Sequence, residues 1–156
     1  MKSEAIENLV VAYRRIGDDR MRDLPFYNDR LSVEAVGFRT WRGRSVGILI
    51  APWFMNLALL SRAEDEWDRL APGETVEWEF PSGVCELDPI RIDDVNTYLS
   101  APLFSTVQDF PDQETACAVA EKILENLFQP PQRTGRRAPV TRRDVFTKLL
   151  LGGTEA

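Results

Sequence analysis

ETVEWEF, residues 74–80, alternates without interruption: Val76, Trp78 and Phe80 are apolar, and Thr75, Glu77 and Glu79 between them are polar. Successive side chains of a strand point to opposite faces, so a period of two marks a strand with one face buried and one in water. Pro81-Ser82-Gly83 turns the chain, and Val84 to Ile92 returns it, with Asp88-Pro89 marking a bulge or an edge. So short a turn joins antiparallel neighbours, since a parallel pair needs a long crossover. The sheet is therefore expected to be antiparallel.

Working upstream, residues 31–41 are rich in β-formers and end in a turn, Trp41-Arg42-Gly43-Arg44. Ser45 to Ala51 is nearly all apolar after its first residue, the pattern of a central strand covered on both faces. Pro52 permits an edge or a change of direction before a third strand, Trp53 to Leu60. Ser61 and Glu64 match a capping box, predicting a short helix with Ala63, Trp67 and Leu70 on one face, stopped by Pro72-Gly73. Residues 93–110 predict a turn and then an irregular strand.

Two longer helices flank this β-rich middle. Ile6, Leu9, Val10, Tyr13 and Ile16 recur at helical spacing after Ser3, and Gly17-Asp18-Asp19 is expected to end or fray that helix. Asp112 caps the other, with Ala116, Val119, Ala120, Ile123, Leu124 and Leu127 as its buried stripe. Helix, antiparallel strands, helix predicts an α+β fold, an antiparallel sheet packed with N- and C-terminal helices. Pro130-Pro131 ends the body, so residues 1–128 are expected to form one domain. Residues 129–156 form a basic tail expected to be mobile, with Thr141 and Asp144 capping a short helix through Leu150.

The 156 residues, 44% apolar and 28% charged, suit a soluble globular domain. The longest apolar stretch, Val46 to Leu60, is broken by Gly47, Pro52 and Asn56, and the N-terminus lacks a secretory pattern. No membrane association and a cytoplasmic location are the expectation. Histidine is absent and the two cysteines, Cys85 and Cys117, form no CxxC pair. A zinc site and a His-dependent triad are thus excluded on inventory, and neither a metal nor a cofactor is expected. Both cysteines are expected to be quiet thiols.

Net charge is −6, but residues 1–128 carry 13 Lys/Arg against 23 Asp/Glu, and residues 129–156 carry 6 against 2. An acidic body repels nucleic acid and attracts cationic peptides. Arg133, Arg136, Arg137, Arg142, Arg143 and Lys148 could contact phosphates, but Phe146 is the tail's only aromatic, so no base-stacking platform exists. Glu64 with Asp68, Asp18-Asp19 and Asp93-Asp94 could share acid/base work, as in a small carboxylate-dependent hydrolase. Charged helix ends and a solvated face explain these pairs more simply, and no nucleophile or phosphate-loop motif accompanies them. No catalytic residue is assigned.

APWFMNL, residues 51–57, is more informative. Trp53, Phe54 and Met55 in a row cannot all point one way in a strand. A methionine beside aromatics makes an adaptable apolar surface, and the alternative is an internal strand buried on both faces. At the other end of the chain, TRRDVFTKLLL, residues 141–151, looks like a twin-arginine export signal placed where no translocase could use it, with Val145 where that motif prefers the phenylalanine found at Phe146.

YNDRLSVEAVGF (27–38), IAPWFMNLALL (50–60), FPSGVCELD (80–88) and NTYLSAPLFS (96–105) resemble the HybE family of [NiFe]-hydrogenase assembly chaperones, which includes proteins called HupJ. Some relatives carry an added rubredoxin-like domain, for which this chain lacks the cysteines. The resemblance implies a two-layer sandwich similar to secretion chaperones and a cytoplasmic, non-enzymatic maturation factor. Its implied partners are the hydrogenase small-subunit precursor, through the twin-arginine signal peptide, and the large subunit. Export would be delayed until cofactor insertion and subunit assembly are complete. A receptor for a cationic and then apolar peptide needs acids beside an apolar groove, and Arg–carboxylate bonds would fix its register. Trp53, Phe54, Met55 and Asn56, with Glu34, Tyr98 and Leu99 from the other familiar segments, are the candidate contacts. The tail's Arg142, Arg143 and Phe146 would then be a pseudo-signal able to occupy the same groove, within one chain or across a homodimer.

Overall fold

The computed structural model describes residues 4–62, 65–71, 73–93, 95–104, 106–130 and 139–140. The elements in chain order are α1 (Glu4–Ile16), β1 (Glu34–Trp41), β2 (Arg44–Ala51), β3 (Phe54–Leu59), β4 (Val76–Phe80), β5 (Gly83–Ile92), β6 (Val95–Pro102), α2 (Gln113–Leu127) and β7 (Pro139–Val140). The strands lie in the order β1-β2-β3-β6-β5-β4, with β7 against β5. Two three-stranded meanders, β1-β2-β3 and β4-β5-β6, are thus joined where β3 meets β6, Asn56 opposite Pro102 and Leu59 opposite Leu99.

The expected α+β architecture is present, and its helices take opposite faces. Val46, Ile48 and Ile50 of β2 point to a core shared with Ala116, Ala120 and Leu124 of α2. Leu49 and Ala51, one residue out of phase, point to a second core with Leu9 and Tyr13 of α1. The helix-on-sheet layer pair is therefore built twice, back to back. This is why β2 is apolar without alternation: it is covered on both faces, as its sequence predicts. Each helix supplies one apolar stripe, and Asp112 caps α2 by accepting a hydrogen bond from the Thr115 amide at 2.7 Å.

The sheet curls until its two outer strands meet. Trp41 at the end of β1 stacks on Phe80 at the end of β4, with ring centroids 4.9 Å apart. Phe128, just past α2, packs edge-on against both rings. A bulge in β1, where the register shifts between Val36 and Arg39, supports the bend. Gly37 sits there at φ +66°, a conformation side chains resist, and Phe38 is laid over Gly47.

Two expectations need correction. Where the capping box predicts a helix, the described part of residues 61–70 holds only a 3-10 turn, Trp67–Arg69. Arg44 of β2 grips Asp65 there at 2.6 and 3.1 Å, and its guanidinium lies over Trp67 and Trp78. These tertiary contacts override local propensity. The supposedly irregular strand after residue 93 is β6, a regular interior strand buried from Tyr98 to Ala101. α1 ends at Ile16, where Gly17-Asp18-Asp19 was expected to end or fray it, and the chain turns on as a π turn through Met21, with the Arg22 amide donating to the Gly17 carbonyl at 3.0 Å. The predicted helix from Thr141 to Leu150 lies outside the described residues. Two residues of the expected tail, Pro139 and Val140, are a strand of the sheet.

Candidate partner-binding face

Helix α1 covers only part of its side of the sheet. Its apolar stripe packs over Val33, Ala35, Leu49, Ala58 and Tyr98, which belong to β1, β2, β3, β6 and the segment before β1. Strands β4 and β5 continue the same side of the sheet past the helix. The alternation that sends Trp78 and Phe80 into the α2-side core sends Glu77 and Glu79 outward, and Glu86 of β5 joins them, all three exposed. Glu77 and Glu86 are direct cross-strand partners. Neither carboxylate makes an ion pair with the described residues. Like charges placed directly opposite destabilise a sheet by a few tenths of a kcal/mol or more. A surface that tolerates this cost is suited to a cation.

The opposite border of this face is aromatic. Trp53 occupies the tight β2–β3 turn, stacked on Tyr27 at 6.2 Å and edge-on to Phe54 at 5.4 Å, while Tyr13 of α1 packs edge-on against Phe54. Gly17 makes room for the indole: a Cβ there would stand 3.0 Å from the ring. Leu24 and Phe26, on the segment leading to Tyr27, are exposed, and Asp18 and Asp19 follow Gly17 on the surface. Asn56 pairs with Pro102 where β3 meets β6, and β5 joins β6 only from Asp88 onward, so Glu86 shares a side of the sheet with Asn56 but not a paired row.

The sequence candidates divide between this face and the interior. Trp53, Phe54 and Asn56 lie half-buried on the aromatic border. Met55 and Leu99 are in the α2-side core and fully buried, so no partner reaches them in this structure. Tyr98 is buried beneath α1, its hydroxyl 2.5 Å from that of Tyr13, and burial raises both phenols above the ordinary range. Glu34 is on the α2 side. Its carboxylate accepts hydrogen bonds from Gln113 Nε2 at 2.8 Å and Cys117 Sγ at 3.3 Å, so it shares no surface with Trp53. Burial, and then the hydrogen bond to Glu34, push the Cys117 thiol up to about 11. Arg142, Arg143 and Phe146 lie outside the described residues. Sequence reasoning missed Glu77, Glu79 and Glu86, although VEWEF already sets two of them on the solvent side of a half-buried strand.

The paired acids do not converge on a catalytic cleft among the described residues. Asp18 bonds exposed Arg22, and Arg44 holds the Asp65 carboxyl below the usual carboxylate range. Asp65 and Asp68 line a shallow cleft of about 280 Å³, in which Asp65 is engaged by that structural grip. Glu64 and Asp94 lie outside the described residues. Among the described residues, no cluster of three or more potential ligands could hold a metal ion, and no helix is long and apolar enough to cross a membrane.

Comparison with known proteins gives consistent matches. Residues 4–148 match the family described as "[NiFe]-hydrogenase assembly, chaperone, HybE". The chain is 40% identical over 149 residues to the hydrogenase expression/formation protein HupJ of Bradyrhizobium diazoefficiens, covering 94% of this chain and 86% of that one. It is also 40% identical over 137 residues to the probable rubredoxin HupJ of Rhodobacter capsulatus, but that match spans 86% of this chain and only 49% of the longer protein. The solution structure of HybE from Escherichia coli superposes with a TM-score of 0.65, covering 88% of this chain and 89% of that one at 19% identity, which shows the shared fold.

Proposed function

The chain belongs to the HybE family of [NiFe]-hydrogenase assembly chaperones, and we propose that it binds the hydrogenase small-subunit precursor through the precursor's twin-arginine signal peptide. By holding that peptide in the cytoplasm it delays export until cofactor insertion and subunit assembly are complete. It does so without catalysis. The observation that carries this reading is the acidic half-face, where Glu77 stands opposite Glu86 on the side of the sheet that also bears the Trp53–Phe54 border.

A signal of this kind is a pair of arginines followed within a few residues by apolar side chains. Charge-assisted bonds from guanidinium to carboxylate are directional and frequently bidentate, so Glu77 and Glu86 would fix the position of the arginine pair. An extended peptide advances about 3.3 Å per residue, so the residues that follow the arginines run on toward Phe54 and Trp53. There the apolar part finds ring faces that are already half out of water. Arginine binding also removes the Glu77–Glu86 repulsion, a gain that a neutral peptide cannot obtain.

Titration calorimetry of the cognate signal peptide into the full chain tests this, with a lysine-pair peptide as control and the Glu77→Gln/Glu86→Gln double variant as second protein. Binding that weakens at least tenfold on either change supports the reading. Equal affinity for all combinations would place the client elsewhere on the molecule.

A further inference from the structure

Strand β5 is divided along its length. Its first half, Gly83 to Leu87, pairs with β4, and its second half, from Asp88 onward, pairs with β6. The β6 side of the first half would be a bare stretch of backbone beside the Glu86 carboxylate. It is filled by β7, which runs parallel to β5 with Pro139 opposite Val84 and Val140 opposite Cys85. The filler comes from the basic tail, and the next residues are Thr141, Arg142 and Arg143.

We propose that the Gly83–Glu86 edge of β5 is a strand-acceptor site for an extended segment followed by paired arginines, and that the chain's own Pro139–Val140 is its resident occupant. This rests on the reading above and adds the mode of recognition: client backbone joins the sheet at β5, and the arginines that follow reach the carboxylates of β4 and β5. Strand addition draws affinity from main-chain hydrogen bonds and so tolerates varied client sequences. Selectivity then falls to the arginine pair. The tail has the same order of parts, an extended dipeptide and then Thr-Arg-Arg, and therefore competes with the client. A short tether holds it at an effective concentration of roughly mM, so a client must bind more tightly than the tail to displace it. The empty chaperone thus keeps its acceptor edge covered.

The test uses the full chain and its Val140→Pro variant, with Pro139→Gly/Val140→Gly as a second way of removing the strand. Val140→Pro deletes a backbone donor, and the glycine pair removes side-chain preference for the strand. The probe is a synthetic peptide of residues 138–148, APVTRRDVFTK, titrated in parallel with the client signal peptide. Both variants are expected to bind the probe about tenfold more tightly than the unaltered chain. The backbone amides of Gly83 to Glu86 should lose hydrogen-exchange protection in the variants and regain it with probe. Equal probe affinity in all three proteins, or no binding to any, overturns the acceptor-site proposal. If the probe behaves as expected but the client peptide binds no protein, the strand-acceptor edge stands and the signal-peptide reading fails. If the client binds all three equally while the probe binds none, the signal-peptide reading stands and the tail is no competitor.

Discussion

Asn28 is one of the few polar side chains in the interior, 4% exposed, and it fastens three segments. Its Nδ2 donates to the carbonyls of Val107 and Phe110 at 2.9 and 3.1 Å, and its amide donates to Pro52 at 2.7 Å. Asn28→Ala keeps the backbone bond but removes the side-chain donor to Phe110 and one of the two donors to Val107, so a loss of about 1–3 kcal/mol in denaturant unfolding is expected. The Tyr13–Tyr98 pair behaves differently because each hydroxyl is the other's partner. Tyr13→Phe should cost about 1–3 kcal/mol by orphaning Tyr98, while replacing both by Phe should be close to neutral. The pair also sets an alkaline limit. Burial keeps both phenols protonated above the ordinary 10.0, so above that pH the folded state holds protons that the unfolded state has released. Its contribution is complete below pH 10 and is lost as pH rises beyond it. Urea midpoints from pH 8 to 11 should fall less steeply in the double Phe variant.

The bulge of β1 and the bare residue of β2 are complementary. A Cβ at Gly47 would lie 2.4 Å from the Phe38 ring, so Gly47→Ala must displace a ring held between sheet and helix. Overpacking of this kind costs about 1–3 kcal/mol, and Phe38→Ala in the same chain should recover part of the loss. The opposite sign is expected at Glu77: relieving the cross-strand repulsion by Glu77→Gln should stabilise the fold by a few tenths of a kcal/mol while weakening binding of a paired-arginine peptide. A gain in melting temperature with unchanged affinity would separate this pair from recognition.

Strands such as β4 were legible because their own alternation states which face is buried. Strand β6 was not, because its burial depends on β3, which it meets forty or more positions away, and Pro102 reads as a breaker. The short helix failed for a related reason: Ser61 and Glu64 describe a local preference, whereas Arg44 and its two tryptophans decide the outcome. At the site, APWFMNL gave the aromatic border but not its direction. Alternation turned Met55 inward and left Phe54 and Asn56 on the outer side. The charge excess was visible as a total, and its concentration on β4 and β5 appears only once the register sets Glu77 against Glu86.

Across the whole molecule, the outermost strands of both meanders are tied together by the Trp41–Phe80 stack, with α2 delivering Phe128 to the seam. An offset aromatic pair adds about 0.5–1.5 kcal/mol beyond its buried area. The stack covers one end of each outer strand, while the β5 stretch under β7 already carries an added strand among the described residues.

The union of the meanders also has a kinetic consequence. Each meander closes short loops and can form early, but β3 and β6 must find one another across the intervening chain, and that closure carries the larger entropy cost. Ala58, fully buried opposite Ser100 in the middle of that junction, should therefore report on the folding transition state. In stopped-flow experiments Ala58→Gly is expected to slow refolding, whereas Trp41→Ala at the seam should chiefly accelerate unfolding. The chain would then become committed to its fold when its two halves zip together, and the aromatic seam would lock only after that crossing.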